Sequence, residues 1–389
     1  MKTFPAPLLR YGLFAIWAGV LHVPFGGPGS AALLSAGVLV FLLLLHAARS
    51  LVTSRRGTGT PSLSDRLRTG ITGPVRVCLI IAGAAGLLIV PFIFPDYYLD
   101  VLILGGIYAL LAVGLNVLVG FTGLLNLGFA AFYAIGAYTY ALLNTRLGVG
   151  FWPSLPLSAV AATMAGLLLA VPALRLRGDY LAIVTLGFGE IVRLVLNNWD
   201  SLTNGPNGIT GIAGPTLLGF SLGRLQDLYY LVFAFLGLSI VIVRRVKYSR
   251  IGRAWLAIRE NEIAASCMGI DATRYKVYAF AFGTFWAGLA GTLFAAKMRF
   301  VSPESFTFME SVLMISMVIL GGIGSVFGAV IGAFVLVILP EVLRDVQTYR
   351  MLLVGIGLVV LMLYRPQGLF SGFRDAHSPA QTGMQDLVK

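Results

Sequence analysis

Glu190 stands alone among apolar neighbours in RLRGDYLAIVTLGFGEIVRLVLNN (175–198), with Arg193 three residues on. On a helix that spacing places the two on one face, where they can pair. An ionisable group at membrane depth is a candidate for handling a substrate or an ion, and a structural ion pair near the outer interface fits equally well. Thr185 shares the run. A second stretch, GLNVLVGFTGLLNLGFAAFYAIGAYTY (114–140), carries Asn116, Thr122 and Asn126 among Gly114, Gly120, Gly123, Gly128 and Gly136. Two amides and a hydroxyl in a hydrocarbon setting need partners. They either satisfy one another across packed helices or line a broken helix along a translocation path. Covalent chemistry has no equipment here. The chain shows no Ser/His/Asp set, paired carboxylates, HExxH or GxxxxGK. His22, His46, His377, Cys78 and Cys267 lack metal-ligand or disulfide-framework spacing. The expectation is a protein with no catalytic residues, no metal and no directly bound cofactor.

The elements that must carry these groups are membrane helices. The 389 residues are 58% hydrophobic and 11% charged, with a mean hydropathy of +0.89. Soluble proteins average about 25% charged, so the polar residues are too few to coat a soluble core. The expected fold is all-α and polytopic, with about 10–12 transmembrane or partly embedded helices. Apolar runs place spans near 8–24, 31–47, 77–95, 101–119, 123–143, 152–172, 181–196, 228–243, 276–296, 309–322, 325–340 and 350–364. The start has no convincing small-x-small cleavage site, so a retained first helix is expected rather than a signal peptide. The chain divides into an N-terminal membrane extension (1–50), a linker (51–76), a membrane domain (77–370) and a disordered polar tail (371–389).

Charge sets the orientation. The net charge of +12 gathers in loops between apolar runs, which accounts for it without nucleic acid and adds attraction to anionic lipid. Loop 48–76 holds six arginines against Asp65, the LRLRGDY link holds Arg175 and Arg177, and 244–275 holds seven basic residues against Glu260, Glu262 and Asp271. These belong on the cytoplasmic side, with both termini; 95–100 and 197–227 belong outside. The Asn-, Gly- and Thr-rich stretch 197–215 is turn chemistry that caps a pathway, docks a partner or merely connects. In LGGIGSVFGAVIGAF (320–334), Gly321, Gly322 and Gly324 interrupt the run, while Gly328 and Gly332 have the four-residue spacing of a tight helix contact.

One charged segment, IRENEIAASCMGI (258–270), is out of keeping with its surroundings. A surface helix over 258–269 would turn Arg259, Glu260 and Glu262 to water and Ile258, Ala265 and Met268 to a partner, with Gly269 ending it. Such a ridge fits a groove in a soluble subunit and can transmit motion.

IGRAWLAIRENEIAASCMGID resembles the coupling loop of ABC-importer permeases. With GLNVLVGFTGLLNLGFAAFYAIGAYTY, LRLRGDYLAIVTLGFGEIVR, NGPNGITGI, VILGGIGSVFGAVIGA and YRPQGLF in order, residues 100–370 resemble the branched-chain amino acid permease family, in its LivM-type subunits. The first 75 residues are similar to a variable extension of some members. The resemblance implies an inner-membrane permease paired with a homologous LivH-type permease. Two cytoplasmic ATPases (LivG-type and LivF-type) would supply ATP and magnesium chemistry, and a periplasmic amino-acid-binding protein would deliver leucine, isoleucine or valine. It places Arg250, Gly252, Arg253, Glu260, Ala264, Ala265 and Gly269 in the ATPase-coupling region. Asn116, Thr122, Gly123, Asn126, Gly128, Thr185 and Glu190 are candidates for path or packing, and Gly321, Gly322, Gly324 and Gly328 for hinge or packing. Phe129 departs from the polar residue common in relatives, and the family also includes urea and short-chain amide permeases. An ion-coupled carrier using Glu190, or a passive channel, is the other class of reading.

Overall fold

The computed structural model describes residues 95–342, except 174–175, 177, 218–219 and 222, together with 91, 355, 359 and 368. The expected N-terminal extension, the linker, nearly all of spans 77–95 and 350–364, and the tail lie outside the described residues. The chain divides into Met1–Val90 and Pro91–Lys389, and the described residues all belong to the second unit.

Helix α1 (Asp96–Asn116) runs on into a five-residue π-turn, Val117–Phe121, and then loses regular structure over 122–128. The chain resumes as α2 (Phe129–Leu147), α3 (Phe151–Ala173) and α4 (Asp179–Asn198). A short α5 (Asp200–Thr203) leads to strands β1 (Ile209–Thr210), β2 (Thr216–Leu217) and β3 (Phe220–Ser221). Helix α6 (Leu225–Lys247) is followed by two short amphipathic helices, α7 (Arg250–Glu260) and α8 (Glu262–Cys267). Then come α9 (Ala272–Met298), β4 (Phe300–Val301), α10 (Phe308–Gly321) and α11 (Val326–Val342). Among the described residues, α1 with its π-turn, α3, α6 and α9 are long and apolar enough to cross a membrane; α10 and α11 are shorter apolar helices.

Helix α9 is the hub. Its 27 residues extend about 40 Å at 1.5 Å per residue, and 83% of its most apolar stretch is buried, against 33% for α6. Helices α1, α2 and α3 pack around it because small residues let the backbones approach. Gly283, Ala287 and Gly291 recur every fourth residue, and a β-carbon at Gly291 would fall 2.6 Å from the Ala137 nitrogen. Lipid is as apolar as leucine, so such close packing drives association where a hydrophobic effect between helices is absent. The 283–287–291 row was not legible as a seam in a sequence with 47 glycines.

The two ends of the bundle differ. At one, β1 pairs antiparallel with β4, Tyr140 donates to the Ala213 carbonyl, and Arg146 donates to the carbonyls of Ser201 and Leu202. Lys297, nearly buried, pairs with Asp100 at 3.0 Å at this end. The Asn/Gly/Thr stretch is thus a cap stapled to α2 and α9. The opposite end gathers the π-turn, the start of α4, the α6–α9 connection and the α10–α11 turn.

Candidate functional site

The expected span 123–143 is corrected: its first six residues are not helical, and α2 begins at Phe129. Leu118 accepts from Leu124 N and from Thr122 Oγ1 (2.6 Å), which closes the end of the π-turn. The irregular segment is then pinned to α4. Leu127 N donates to Thr185 Oγ1 at 3.0 Å, and Thr185 donates back to the Ala182 carbonyl. Asn126 Oδ1 accepts from Gly128 N, and Ala130 N donates to Ser311 Oγ on α10. Non-helical backbone persists at this depth because side chains from two other helices take over the freed groups. Asn116, Asn126 and Thr185 are fully buried, and the Asn116 and Asn126 amide nitrogens have no hydrogen-bond partner. Gly128 lies directly against the Thr185 carbonyl, where any side chain would collide with backbone. Phe129 is buried and meets Phe132 edge-on.

Glu190 and Arg193 pair as their spacing predicts, at 2.8 Å, each with about a third of its side chain exposed. Glu190 borders a cleft of only about 10 Å³ with Leu127, Ala130, Ser311 and Phe308, room for about one water. A second cavity of about 260 Å³ lies on the other side of the irregular segment. It is lined by Thr122, Gly123 and Leu124, by Asp179 and Leu181 at the start of α4, and by Arg259, Glu262 and Lys276. Along α4 the two spaces are offset by the rise from Leu181 to Gly189, about 12 Å. The 122–128 segment therefore separates a narrow cleft from a much larger one.

The charged segment also differs from expectation. Residues 258–269 are not one helix: α7 ends at Glu260, and Asn261 caps α8 by accepting from Ala264 N. Ile258 and Ala265 do not face a partner; they bury against each other and Ala272. Arg259 does not face water: its guanidinium donates to the Gly120 carbonyl in the π-turn. Glu262 is not a solvent acid either, since it pairs at 2.7 Å with Lys276, a side chain only 5% exposed. Glu260 faces water as expected, and Met268, Ala264, Arg250 and Arg253 are exposed as well. Gly269 ends α8 with φ +82°, and Ile270 N donates to Ala265 O. That reversal closes the helix and returns Ile270 to the Ile258 cluster. Buried Gly252 permits the tight corner between α6 and α7, and Trp255 Nε1 fastens α7 to the Tyr275 carbonyl at 2.8 Å.

Gly321 and Gly328 lie face to face across the α10–α11 hairpin, with Gly332 beside Gly321, so the glycine row is a packing seam. Gly322 and Gly324 form the turn. That turn meets the charged end: Gly324 N donates to Asn116 Oδ1 at 2.9 Å, and Lys247 Nζ donates to Gly324 O at 3.3 Å. Three connections — the π-turn, the hairpin turn and α7 — thus converge on residues 116–120. Sequence reasoning missed Lys276, the first residue of the expected span 276–296. It also missed Glu310, which accepts from Tyr108 at 2.6 Å and was legible as a lone acid beside an apolar run.

The description "branched-chain amino acid transport system / permease component" matches residues 97–362, the whole of this bundle. The chain belongs to that family. The high-affinity branched-chain amino acid transport system permease protein LivM of Salmonella typhimurium is 46% identical over 302 residues, covering 72% of this chain and 71% of the relative. The LivM of Escherichia coli K12 matches equally. The permease protein LivH of Salmonella typhimurium is 27% identical, over 68% of this chain and 92% of the relative. No solved structure matches. The bundle is therefore a membrane-embedded, all-α permease component of a branched-chain amino acid transport system. The urea, amide and ion-coupled readings are not favoured by these relatives.

Proposed function

We propose that this chain is half of the membrane pathway of an ATP-driven importer for leucine, isoleucine and valine, with residues 122–128 as its gate and α7–α8 as its lever. The observation that carries the reading is the Arg259 link: a residue on an amphipathic surface helix donates to the Gly120 carbonyl, two residues before the gate. A push on α7 then acts on the irregular backbone itself. The end bearing Arg244, Arg245, Arg250, Arg253 and Arg274 is cytoplasmic by its charge, and the membrane is the inner one. The 260 Å³ cavity on that side, against only about 10 Å³ beyond the gate, fits a cytoplasm-facing state.

In this scheme the chain hydrolyses nothing. Two cytoplasmic ATPases bind ATP and magnesium, a LivH-type permease completes the path, and a periplasmic binding protein delivers the solute. Exposed Glu260, Ala264, Arg250 and Arg253 form the docking ridge, buried Ala265 and Gly252 shape it from within, and exposed Gly269 ends it. Glu190, already matched by Arg193 one turn on, is a structural pair rather than a coupling acid.

The test is reconstitution of the assembled complex with E260W and A264W variants. The expected result is ATP hydrolysis that persists while leucine uptake falls by more than tenfold. Unchanged uptake from correctly assembled variants, or concentrative uptake by this chain without ATPases, overturns the scheme.

A further inference from the structure

The π-turn ends on a hydrogen bond of unusual span. In an α-helix each amide reaches the carbonyl four residues back, and in a π-turn the carbonyl five back. Leu124 N reaches six back, to Leu118 O at 3.0 Å. Helical geometry would give Leu124 N the Gly120 carbonyl instead, and that carbonyl is taken by the Arg259 guanidinium. Arg259 therefore stands in the place of the next helical hydrogen bond.

The residues between are almost helical already. Thr122 lies in the right-handed region with φ −106° and ψ −11°. Its Oγ1 bonds the carbonyl four residues back, as threonines within helices do. Gly123, with φ +72°, is the first residue to leave. Glycine adopts either hand about equally, so its return to the helical region meets no steric barrier of its own. Arg259 fills the space around this break. A β-carbon at Gly123 would lie 3.3 Å from its Cγ, and one at Gly324 would lie 3.0 Å from a guanidinium nitrogen. The fully buried Nδ2 atoms of Asn116 and Asn126 flank the stretch without acceptors, so polar pairing here is incomplete in this state.

We propose that Arg259 is a removable pin that holds the end of α1 in its π form, and that its withdrawal lets α1 continue as an α-helix through Leu124. Leu124 N passes from Leu118 O to Gly120 O, Thr122 N takes Leu118 O, and Gly123 turns right-handed. A carbonyl left bare in an apolar medium must find a donor, and Leu124 N is the one in helical register. The connection to α2 then shortens from residues 122–128 to 125–128. That draws Leu127 N away from Thr185 Oγ1 and loosens the contact at Gly128. The proposal rests on the lever-and-gate reading for the force that moves Arg259; the exchange of partners rests on the hydrogen bonds alone.

The experiment is hydrogen exchange, read by mass spectrometry over residues 119–128, on the full chain in lipid nanodiscs without ATPases. R259M removes the pin and cannot replace its hydrogen bond. G123A penalises the left-handed turn, and its methyl group crowds the Arg259 side chain. Both variants are expected to slow exchange at 123–125 at least tenfold, because those amides join a helix. If Arg259 only braces the turn, its loss frees the backbone and exchange speeds up, so the two roles differ in sign. G187A, with open space at its β-carbon, is expected to match the wild type. Faster or unchanged exchange in R259M overturns the proposal, whatever G123A does. Leucine uptake by the assembled complex carrying E260W is measured alongside. Slowed exchange in R259M with unchanged uptake in E260W leaves the pin standing and removes the ATPase lever. Faster exchange in R259M with uptake lost in E260W removes the pin and leaves the transport scheme standing.

Discussion

Replacing Gly128 with alanine tests the gate most directly. The Gly128 backbone has φ −106°, which alanine adopts freely, so the effect is one of space alone. An added β-carbon would fall 2.8 Å from the Thr185 carbonyl carbon, nearer still to its oxygen, and 3.2 Å from Gly189 N. Ordinary carbon contacts are at about 3.5–4.0 Å. The obstruction is backbone on both sides, so no rotamer can relieve it, and the segment must withdraw from α4 by about 1 Å. Overpacking of this kind costs about 1–3 kcal/mol. The same withdrawal stretches the 3.0 Å bond from Leu127 N to Thr185 Oγ1 beyond hydrogen-bond range, adding about 1 kcal/mol. A total of about 2–4 kcal/mol against the closed segment exceeds the ~1.4 kcal/mol that corresponds to a tenfold change. G128A is therefore expected to reduce leucine uptake by more than tenfold and to lower the thermal unfolding midpoint in nanodiscs. G187A is the matched control: the same substitution on α4, with open space at its β-carbon, is expected to be neutral or to stabilise by up to about 1 kcal/mol. Wild-type stability and uptake in G128A would refute the argument that contact between Gly128 and α4 holds the gate shut.

The charged end offers three further tests. R259Q removes a charge-assisted hydrogen bond to Gly120, worth about 1.5–3 kcal/mol; ATP hydrolysed per leucine imported is expected to rise severalfold, and an unchanged ratio would remove Arg259 from the lever. K276M removes the nearly buried partner of Glu262, whose own side chain is 30% exposed, and is expected to destabilise by about 1–2 kcal/mol. Adding E262L should recover a large part of that loss, measured as the thermal midpoint of the single and double variants. N116L removes the acceptor of Gly324 N and is expected to cost about 1–3 kcal/mol, read as faster proteolysis at the α10–α11 turn.

Hydropathy and charge are properties of short windows, and they were sufficient for class and element positions. The runs at 152–172, 228–243 and 276–296 became α3, α6 and α9 within a few residues. The Glu190–Arg193 spacing foretold its pair, and Gly269 foretold the end of α8. What the sequence by itself determined was a polytopic helical protein, its charged end, and the stretches where glycine and asparagine interrupt the oil. Where those interruptions break a helix was decided only by tertiary structure. Residues 123–128 could have continued α2, but Thr185, fifty-eight residues away from Leu127, takes its amide instead. A helical projection turns Arg259 to water and Ile258 to a partner, yet Ile258 enters a local core and Arg259 reaches across to Gly120. The physical reason is common to both: a freed backbone group in an apolar medium must be satisfied, and the partner that satisfies it is supplied by packing, not by the neighbouring sequence.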